Sequence, residues 1–233
     1  MIELIQDFFA DGPFALNKWV AMFKAWRVFA EGFGMTLLYS VLALILSIAL
    51  GIFFGVLGTT PNKLSRAINR VYVEFIQNTP LVIQIFFLYY ALPYAGITMP
   101  TFLVGVLGIG VYHGAYMSEA VRAGIGSVPR GQLEAAYSQG FSYWKAMWYV
   151  VLPQAKRLAF PPMTNISVNL IKNTSVMAMI AGGELMYMAD SWSSDNLYYG
   201  PAYVATGFLY LVICYPLATY ARKIERRGEV MYG

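Results

Sequence analysis

The sequence predicts an all-α membrane protein with five transmembrane helices. Of its 233 residues, 58% are hydrophobic and only 12% are charged, about half the charged share of a typical soluble domain. The apolar residues form continuous runs of about 20 residues, the length that a helix needs to cross the hydrocarbon layer. Since these runs lack a two-residue alternation, helices are favoured over a β-barrel.

The five predicted spans follow one another along the chain. The first, residues 33–57, contains no charged residue. The second has a proline near each end, and the fourth contains Lys172. In order, the predicted spans cover residues 33–57, 75–95, 101–120, 158–181 and 202–221.

The basic residues predict the orientation of these spans. They concentrate in the first connection, in the third connection and in the tail, whereas the second and fourth connections have none. By the positive-inside rule the N-terminus lies outside and the C-terminus in the cytoplasm. The orientation of the spans therefore explains the net charge of +4, and no nucleic-acid partner is expected. The residues concerned are Lys63, Arg66, Arg70, Arg130, Lys145, Lys156, Arg157, Arg222, Lys223, Arg226 and Arg227.

We expect one transmembrane domain, residues 33–222, with an extracytoplasmic segment before it, residues 1–32, and a cytoplasmic tail after it, residues 223–233. Trp19, Phe23 and Trp26 share one helix face, which either lies on the outer membrane surface or packs against the spans. Residues 1–12 begin with acids instead of a basic region, so no cleavable signal peptide is expected.

The long connection between the third and fourth spans, residues 123–157, predicts two short helices. Ser127 is placed as the cap of the first, and Pro129 suits a position that needs no amide donor. Gly140 ends that helix, and Ser142 caps the second, which Pro153 is expected to close. The second helix carries an apolar stripe of Trp144, Met147, Trp148 and Val151.

The first of these helices has a compact face. Ala135 and Ala136 allow a close approach to another surface, and Glu134 adds a single charge beside them. This combination predicts a helix that docks in a groove on a cytoplasmic partner.

The same residues carry a resemblance to a known family. The run Glu134-Ala135-Ala136 is followed after three residues by Gly140, after nine more by Val150, and after one more by Leu152-Pro153. This spacing matches the signature of permease subunits of ATP-binding-cassette importers, with Val150 in place of isoleucine. The phrases "QNTPLVIQIFFLYYALP", "AYMSEAVRAGIGSVPRGQLEAA", "LPQAKRLAFPPMTN" and "IKNTSV" are similar to the polar-amino-acid branch of that family, which handles histidine, glutamine and arginine. The resemblance covers about residues 33–222.

The resemblance implies the type I importer permease fold and a multi-pass subunit of the bacterial cytoplasmic membrane. Residues 129–140 resemble the coupling helix that docks on the ATPase. The partners implied are a dimer of ATPase subunits, a second permease subunit, identical or related, an extracytoplasmic amino-acid-binding protein and membrane lipid. The implied coupling residues are Gly131, Glu134, Ala135, Ala136 and Gly140.

This chain has no G-x-x-x-x-G-K-[ST] phosphate loop, so the ATPase partner is expected to bind ATP and Mg. No catalytic residue and no cofactor are predicted here. A secondary transporter would show inverted repeats and central intramembrane acids, and neither is seen. A membrane scaffold subunit without transport activity is the other alternative.

Polar residues inside the spans are candidates for the substrate pathway because they are costly in lipid. Gln84, in the second span, either contacts substrate or forms a hydrogen bond between helices. Glu119 and Arg122, three residues apart, either belong to the site or form a structural pair at the cytoplasmic boundary. His113, the only histidine, is expected to be buried and structural, because one histidine makes no metal site.

The fourth span has the densest set of polar residues. Asn165, Asn169 and Asn173 repeat every four residues and form a stripe that lines a pathway or joins helices. Lys172, Thr174 and Ser175 adjoin this stripe. Members of the family that this chain resembles have aspartate at the position of Asn173. Since an amide recognises neutral polar groups, we expect an uncharged polar substrate such as glutamine. Separately, Gly51 with Gly55 and Gly110 with Gly114 predict close helix packing.

Overall fold

A computed structural model describes the backbone of residues 12–232 and the side chains of residues 12–223. Residues 1–11 of the predicted N-terminal segment, and most side chains of the predicted tail, lie outside this part. The described helices are α1 (Leu16–Lys24), α2 (Trp26–Leu57), α3 (Lys63–Gln77), α4 (Leu81–Ala95), α5 (Thr101–Gly126), α6 (Arg130–Ser138), α7 (143–180), α8 (Leu185–Asn196) and α9 (Tyr199–Tyr232).

The predicted all-α class is confirmed. Within the described residues, α2, α5 and the Tyr199–Lys223 part of α9 are long and apolar enough to cross a membrane, and α3 with α4 qualifies as one bent span. The predicted fourth span lies in α7, which carries Lys156, Arg157 and Lys172 and is not among these helices. The count of five spans and their orientation therefore stay predictions.

The second span, predicted over residues 75–95, is not one unbroken helix. Helix α3 ends at Gln77, α4 begins at Leu81, and their axes meet at 98°. Pro80 causes the break because it has no amide to donate and forces Thr79 out of the helical region. The Thr79 hydroxyl donates to the carbonyl of Phe75 at 2.9 Å and compensates for one lost backbone bond.

The prediction that Leu152-Pro153 closes a helix is wrong, since α7 continues through it to residue 180. A π-helical turn over Met147–Val151 precedes the proline, and the amide of Leu152 donates to the carbonyl of Met147, five residues back. The wider turn moves the preceding carbonyls away from the proline ring. Helix α4 has the same feature before Pro93, where Leu92 donates to Phe87.

The predicted close packing at glycines is confirmed between α2 and α5. A Cβ atom added to Gly51 would overlap Met117, and one added to Gly55 would lie 2.7 Å from the Cβ of Val121. From the other side, a Cβ atom on Gly110 would lie 2.7 Å from Leu46. These contacts hold α2 against α5 at a distance that larger side chains would not allow.

The connection between α7 and α8 is fixed to the bundle by buried polar contacts. Glu184 is fully buried and accepts hydrogen bonds from the amides of Met186 and Tyr187, both at 2.8 Å, which caps α8. Burial raises the pKa of the Glu184 carboxyl. The hydroxyl of Tyr39 on α2 donates to the carbonyl of Gly182 at 3.0 Å. The turn is therefore held in place where α7 ends and α8 begins.

Candidate functional site

The predicted coupling helix is α6, Arg130–Ser138, and the caps predicted at its two ends have different outcomes. Gly140 has φ +81°, the left-handed conformation of a glycine that ends a helix, as predicted. The prediction that Ser127 caps α6 is wrong because its hydroxyl donates to the carbonyl of Ala123 at the end of α5, at 2.8 Å. The cap predicted at Ser142 is confirmed: its hydroxyl oxygen accepts from the amide of Lys145 at 3.4 Å.

Helix α6 has an inner and an outer face. Leu133 packs on an apolar cluster of α5 and α7, and Ala136 is only 5% exposed. Glu134, Ala135 and Gly131 lie on the exposed side. Within residues 12–223, no side chain forms a hydrogen bond or ion pair with the Glu134 carboxylate. Of the predicted alanine pair, only Ala135 is available to a partner, since Ala136 faces its own chain.

Several contacts join α6 to the long helices. The apolar cluster that receives Leu133 contains Val121 and Ile125 of α5 and Met147 and Val151 of α7. The side-chain amide of Gln154 on α7 donates to the amide oxygen of Gln132 on α6 at 3.4 Å. A force applied to α6 would therefore reach both α5 and α7.

The predicted apolar stripe of the following helix is divided in the structure. Met147 and Val151 are buried, whereas Trp144 and Trp148 are 53% and 64% exposed. Trp148 directly follows Met147, and since one residue corresponds to about 100° around a helix, its indole lies beside the buried face and not within it. This surface adjoins α6 and leaves two large aromatic side chains uncovered.

The polar segment of α7 meets α5 at Asn173. The amide nitrogen of Asn173 lies 3.1 Å from Nε2 of His113, and Nδ1 of His113 lies 2.9 Å from the carbonyl of Ile109. An amide nitrogen only donates and a carbonyl only accepts, so the ring carries its proton on Nδ1. His113 is 2% exposed, as predicted, and no group of three potential metal-ligand side chains occurs among the described residues.

The other polar residues that α7 contributes to the predicted pathway divide into two groups. Thr174 is buried and its hydroxyl donates to the carbonyl of Ile171 at 2.7 Å, while the hydroxyl of Ser175 donates to Lys172 at 2.8 Å. Asn165 and Asn169 are exposed, and within residues 12–223 their side-chain amides form no hydrogen bond. These two amides remain able to bind a polar ligand.

Lys172 and Ser175 line a cleft of about 350 Å³ between α7 and α9. Sequence analysis missed the partners that α9 contributes to this cleft. The hydroxyl of Tyr210 donates to Glu184 at 2.9 Å, which fixes one wall. The remaining lining residues are Met186, Tyr203, Thr206 and Gly207.

Gln84 and Glu119 lie apart from this cleft. The side-chain amide of Gln84 donates to the carbonyl of Ile76 at 3.0 Å and to the hydroxyl of Thr79 at 2.7 Å, and so joins α3 to α4 across their break. Glu119 accepts two hydrogen bonds from Arg122, at 3.0 and 2.8 Å, in a separate cleft. The structure thus distributes the predicted pathway residues over several places.

Comparisons with known proteins give a consistent result. The family model described as "Binding-protein-dependent transport system inner membrane component" matches residues 47–229. The probable glutamine ABC transporter permease protein GlnM of Bacillus subtilis is 40% identical over 211 residues, covering 91% of this chain and 98% of that protein. The L-cystine transport system permease protein TcyB of the same organism is 34% identical over 203 residues, 87% of each chain.

A solved structure described as an amino acid ABC transporter with histidines superimposes with a TM-score of 0.81. It is 30% identical in sequence, and the match covers 90% of this chain and 98% of that one.

Proposed function

The chain belongs to the family of binding-protein-dependent transport system inner membrane components, and we propose that it is the permease subunit of an amino-acid importer in a bacterial cytoplasmic membrane. In this family ATP hydrolysis belongs to a partner ATPase, and a binding protein delivers the substrate. We further propose that two permease subunits, identical or related, assemble with two ATPase subunits that bind ATP and Mg.

The exposed carboxylate of Glu134 supports this proposal most directly. It lies on α6, which we propose to be cytoplasmic. The opposite face of this helix packs on the chain's own apolar cluster through Leu133, and Ala136 on the same side is buried. Gly131 and Ala135 are small residues on the exposed side, and Gly140 turns the chain at the end of the helix. This arrangement suits insertion of the outer face into a groove on the ATPase.

The mechanism follows from how α6 is attached. ATP binding closes the ATPase dimer, and each α6 moves with the subunit on which it docks. Because α6 is packed on α5 and α7, its movement tilts these helices and switches access from the outside to the cytoplasm. The switch requires that the nucleotide-bound ATPase binds one permease conformation more tightly than the other.

We propose that the polar residues of α7 contact the substrate during passage. Asn173 uses its amide nitrogen on His113, which leaves its oxygen as the acceptor for a substrate N–H group. A neutral amide side chain such as that of glutamine supplies such a donor without a charge. The remaining proposed contacts are Gln84, Glu119, Asn165, Asn169, Lys172, Thr174 and Ser175.

Purification of the tagged chain from its native membrane in mild detergent tests the proposed assembly. Mass spectrometry of the co-purifying proteins should identify an ATPase with a phosphate loop in an amount equal to the permease. If the chain came alone under conditions that hold other membrane complexes together, an ion-driven transporter would become the better interpretation.

A further inference from the structure

Helix α3 presents an apolar stripe that the rest of the described chain does not cover. Leu64, Ile68, Val71 and Phe75 recur every three or four residues along one face, and each is between 47% and 68% exposed. The helix meets α4, the apolar segment that follows, at 98°. If α4 runs across the membrane, α3 lies in the plane of its surface.

A second face of α3 is basic. Arg66 and Arg70 line a cleft of about 470 Å³ together with Arg122 from α5. Two acids, Glu74 and Glu119, also line it, so the arginines are in excess by one. Arg122 binds Glu119 through two hydrogen bonds, and Arg70 lies 3.9 Å from Glu74 in an exposed ion pair, which contributes little in water. Arg66 has no carboxylate partner among the described residues, and its guanidinium donates to the carbonyls of Thr60 and Pro61 at 2.9 and 2.8 Å, which does not neutralise its charge. The exposed Lys63 begins the same helix.

A third face of α3 packs on α5 and thereby fixes the directions of the apolar and the basic face. Asn69, Val73 and Ile76 are buried, and the amide oxygen of Asn69 accepts a hydrogen bond from Ser118 on α5 at 2.9 Å. The hydroxyl of Tyr72 donates to the carbonyl of Val111 on α5 at 2.8 Å. These bonds prevent the helix from rotating its apolar stripe inward.

We propose that α3 lies in the cytoplasmic surface of the membrane and binds an anionic phospholipid there. The apolar stripe enters the acyl-chain region, and Arg66, Arg70 and Lys63 contact the phosphate group. This division of apolar and basic residues is that of a helix at an interface with anionic lipid. The charge complementarity favours lipid over a second permease subunit, which would carry the same basic residues. The proposal goes beyond the transport function and depends on two predictions: α4 crosses the membrane, and α3 lies on the cytoplasmic side.

Lipid retention tests the basic face. The full-length chain is purified with equal amounts of phosphatidylglycerol and phosphatidylcholine, and the bound lipids are counted by native mass spectrometry. The wild-type chain should retain phosphatidylglycerol at least threefold over phosphatidylcholine. The double variant Arg66→Gln/Arg70→Gln should lose this preference, whereas Arg222→Gln/Lys223→Gln, which removes two exposed cations elsewhere, should keep it. An unchanged preference in the first variant would overturn the assignment.

A spin label tests the apolar face without removing any contact of the basic one. The label is placed at Val71→Cys in a Cys214→Ala background, and the chain is assembled in lipid discs that contain phosphatidylglycerol. We expect the label to be accessible to oxygen, which dissolves in lipid, and shielded from a water-soluble nickel chelate. Accessibility to the chelate would place α3 in water, and shielding from both would place a protein partner over the stripe. Either result would contradict the proposal.

Discussion

The side-chain amide of Asn173 on α7 donates a hydrogen bond to Nε2 of His113 on α5, across 3.1 Å. The bond joins the polar segment of one helix to the buried middle of another. Since the second nitrogen of His113 is engaged by Ile109, the ring holds the Asn173 amide in one orientation. A residue first interpreted as structural thereby orients a residue of the proposed pathway.

Replacement of Asn173 by aspartate should shift transport towards basic amino acids. A carboxylate attracts a cationic substrate, and a charge interaction of about 1 kcal/mol corresponds to roughly a fivefold change in preference. Uptake of arginine relative to glutamine into proteoliposomes measures the shift, with the same binding proteins used throughout. The control is Asn196→Asp, which introduces the same charge at an exposed position of α8 outside the proposed pathway. An unchanged ratio for Asn173→Asp would remove Asn173 from the pathway.

Leucine substitutions at the two alanines of α6 should have different effects on stability and on ATP hydrolysis. Ala136→Leu inserts a larger side chain at a buried position and should destabilise the chain by about 1–3 kcal/mol. Ala135→Leu should leave the thermal unfolding temperature unchanged and lower substrate-stimulated ATP hydrolysis, because the added bulk meets only the partner. Unfolding in detergent and ATPase assays of the assembled complex distinguish the variants. Equal destabilisation by both would show that the assignment of the two faces is wrong.

A single methyl group should disturb the contact between α2 and α5. Gly51→Ala places a Cβ atom against Met117, whereas a Cβ atom on Gly34 of the same helix meets nothing within 4 Å. We expect Gly51→Ala to lower the thermal unfolding temperature, at a cost of about 1–3 kcal/mol. Gly34→Ala should be neutral or slightly stabilising, since alanine favours a helix by up to about 1 kcal/mol. The close packing would be in doubt if the two variants unfolded alike.

Loss of the Gln84 side chain should loosen the junction of α3 and α4. Gln84→Ala removes the donor to Ile76 and Thr79, at a cost of about 1–3 kcal/mol if the acceptors stay buried. Hydrogen exchange of the backbone around residues 76–84 should become faster, with little change in α5. Gln77→Ala, at a half-buried position of α3, is the matched control. Unaltered exchange together with lost uptake would instead favour a direct contact between Gln84 and substrate.

Local patterns predicted much of the fold. Apolar runs located α2, α5 and α9, and glycine spacing located the close contact of α2 with α5. The turn at Gly140 followed from its conformational freedom. The break at Pro80 was not predicted because hydropathy averaged over some 20 residues is insensitive to a bend. The pair Thr79-Pro80 did indicate it, since a residue before proline is disfavoured in the helical conformation. The π-helical turn before Pro153 depends on packing of the whole helix and has no comparable local signal.

The site was harder to predict because its partners are distant in sequence. His113 and Asn173 are 60 residues apart, and one sequence gives no information on which polar residues meet. The lining of the Lys172 cleft by α9 did have a signal in the sequence. Its residues lie at helical spacing on one face: Tyr203, Thr206, Gly207 and Tyr210. It was overlooked because that span was judged by hydropathy alone.

Reversal of one charge tests the coupling role of α6 most directly. The wild-type chain and Glu134→Lys are each assembled with the ATPase and the binding protein in lipid, and amino-acid-stimulated ATP hydrolysis is measured. Asp195→Lys, at an exposed acid on α8, is the matched control, and thermal unfolding verifies that both variants fold. Glu134→Lys should lose the stimulation at least tenfold, equivalent to about 1.4 kcal/mol, while Asp195→Lys keeps it. Full stimulation in Glu134→Lys would contradict the assignment of α6 as the element that contacts the ATPase.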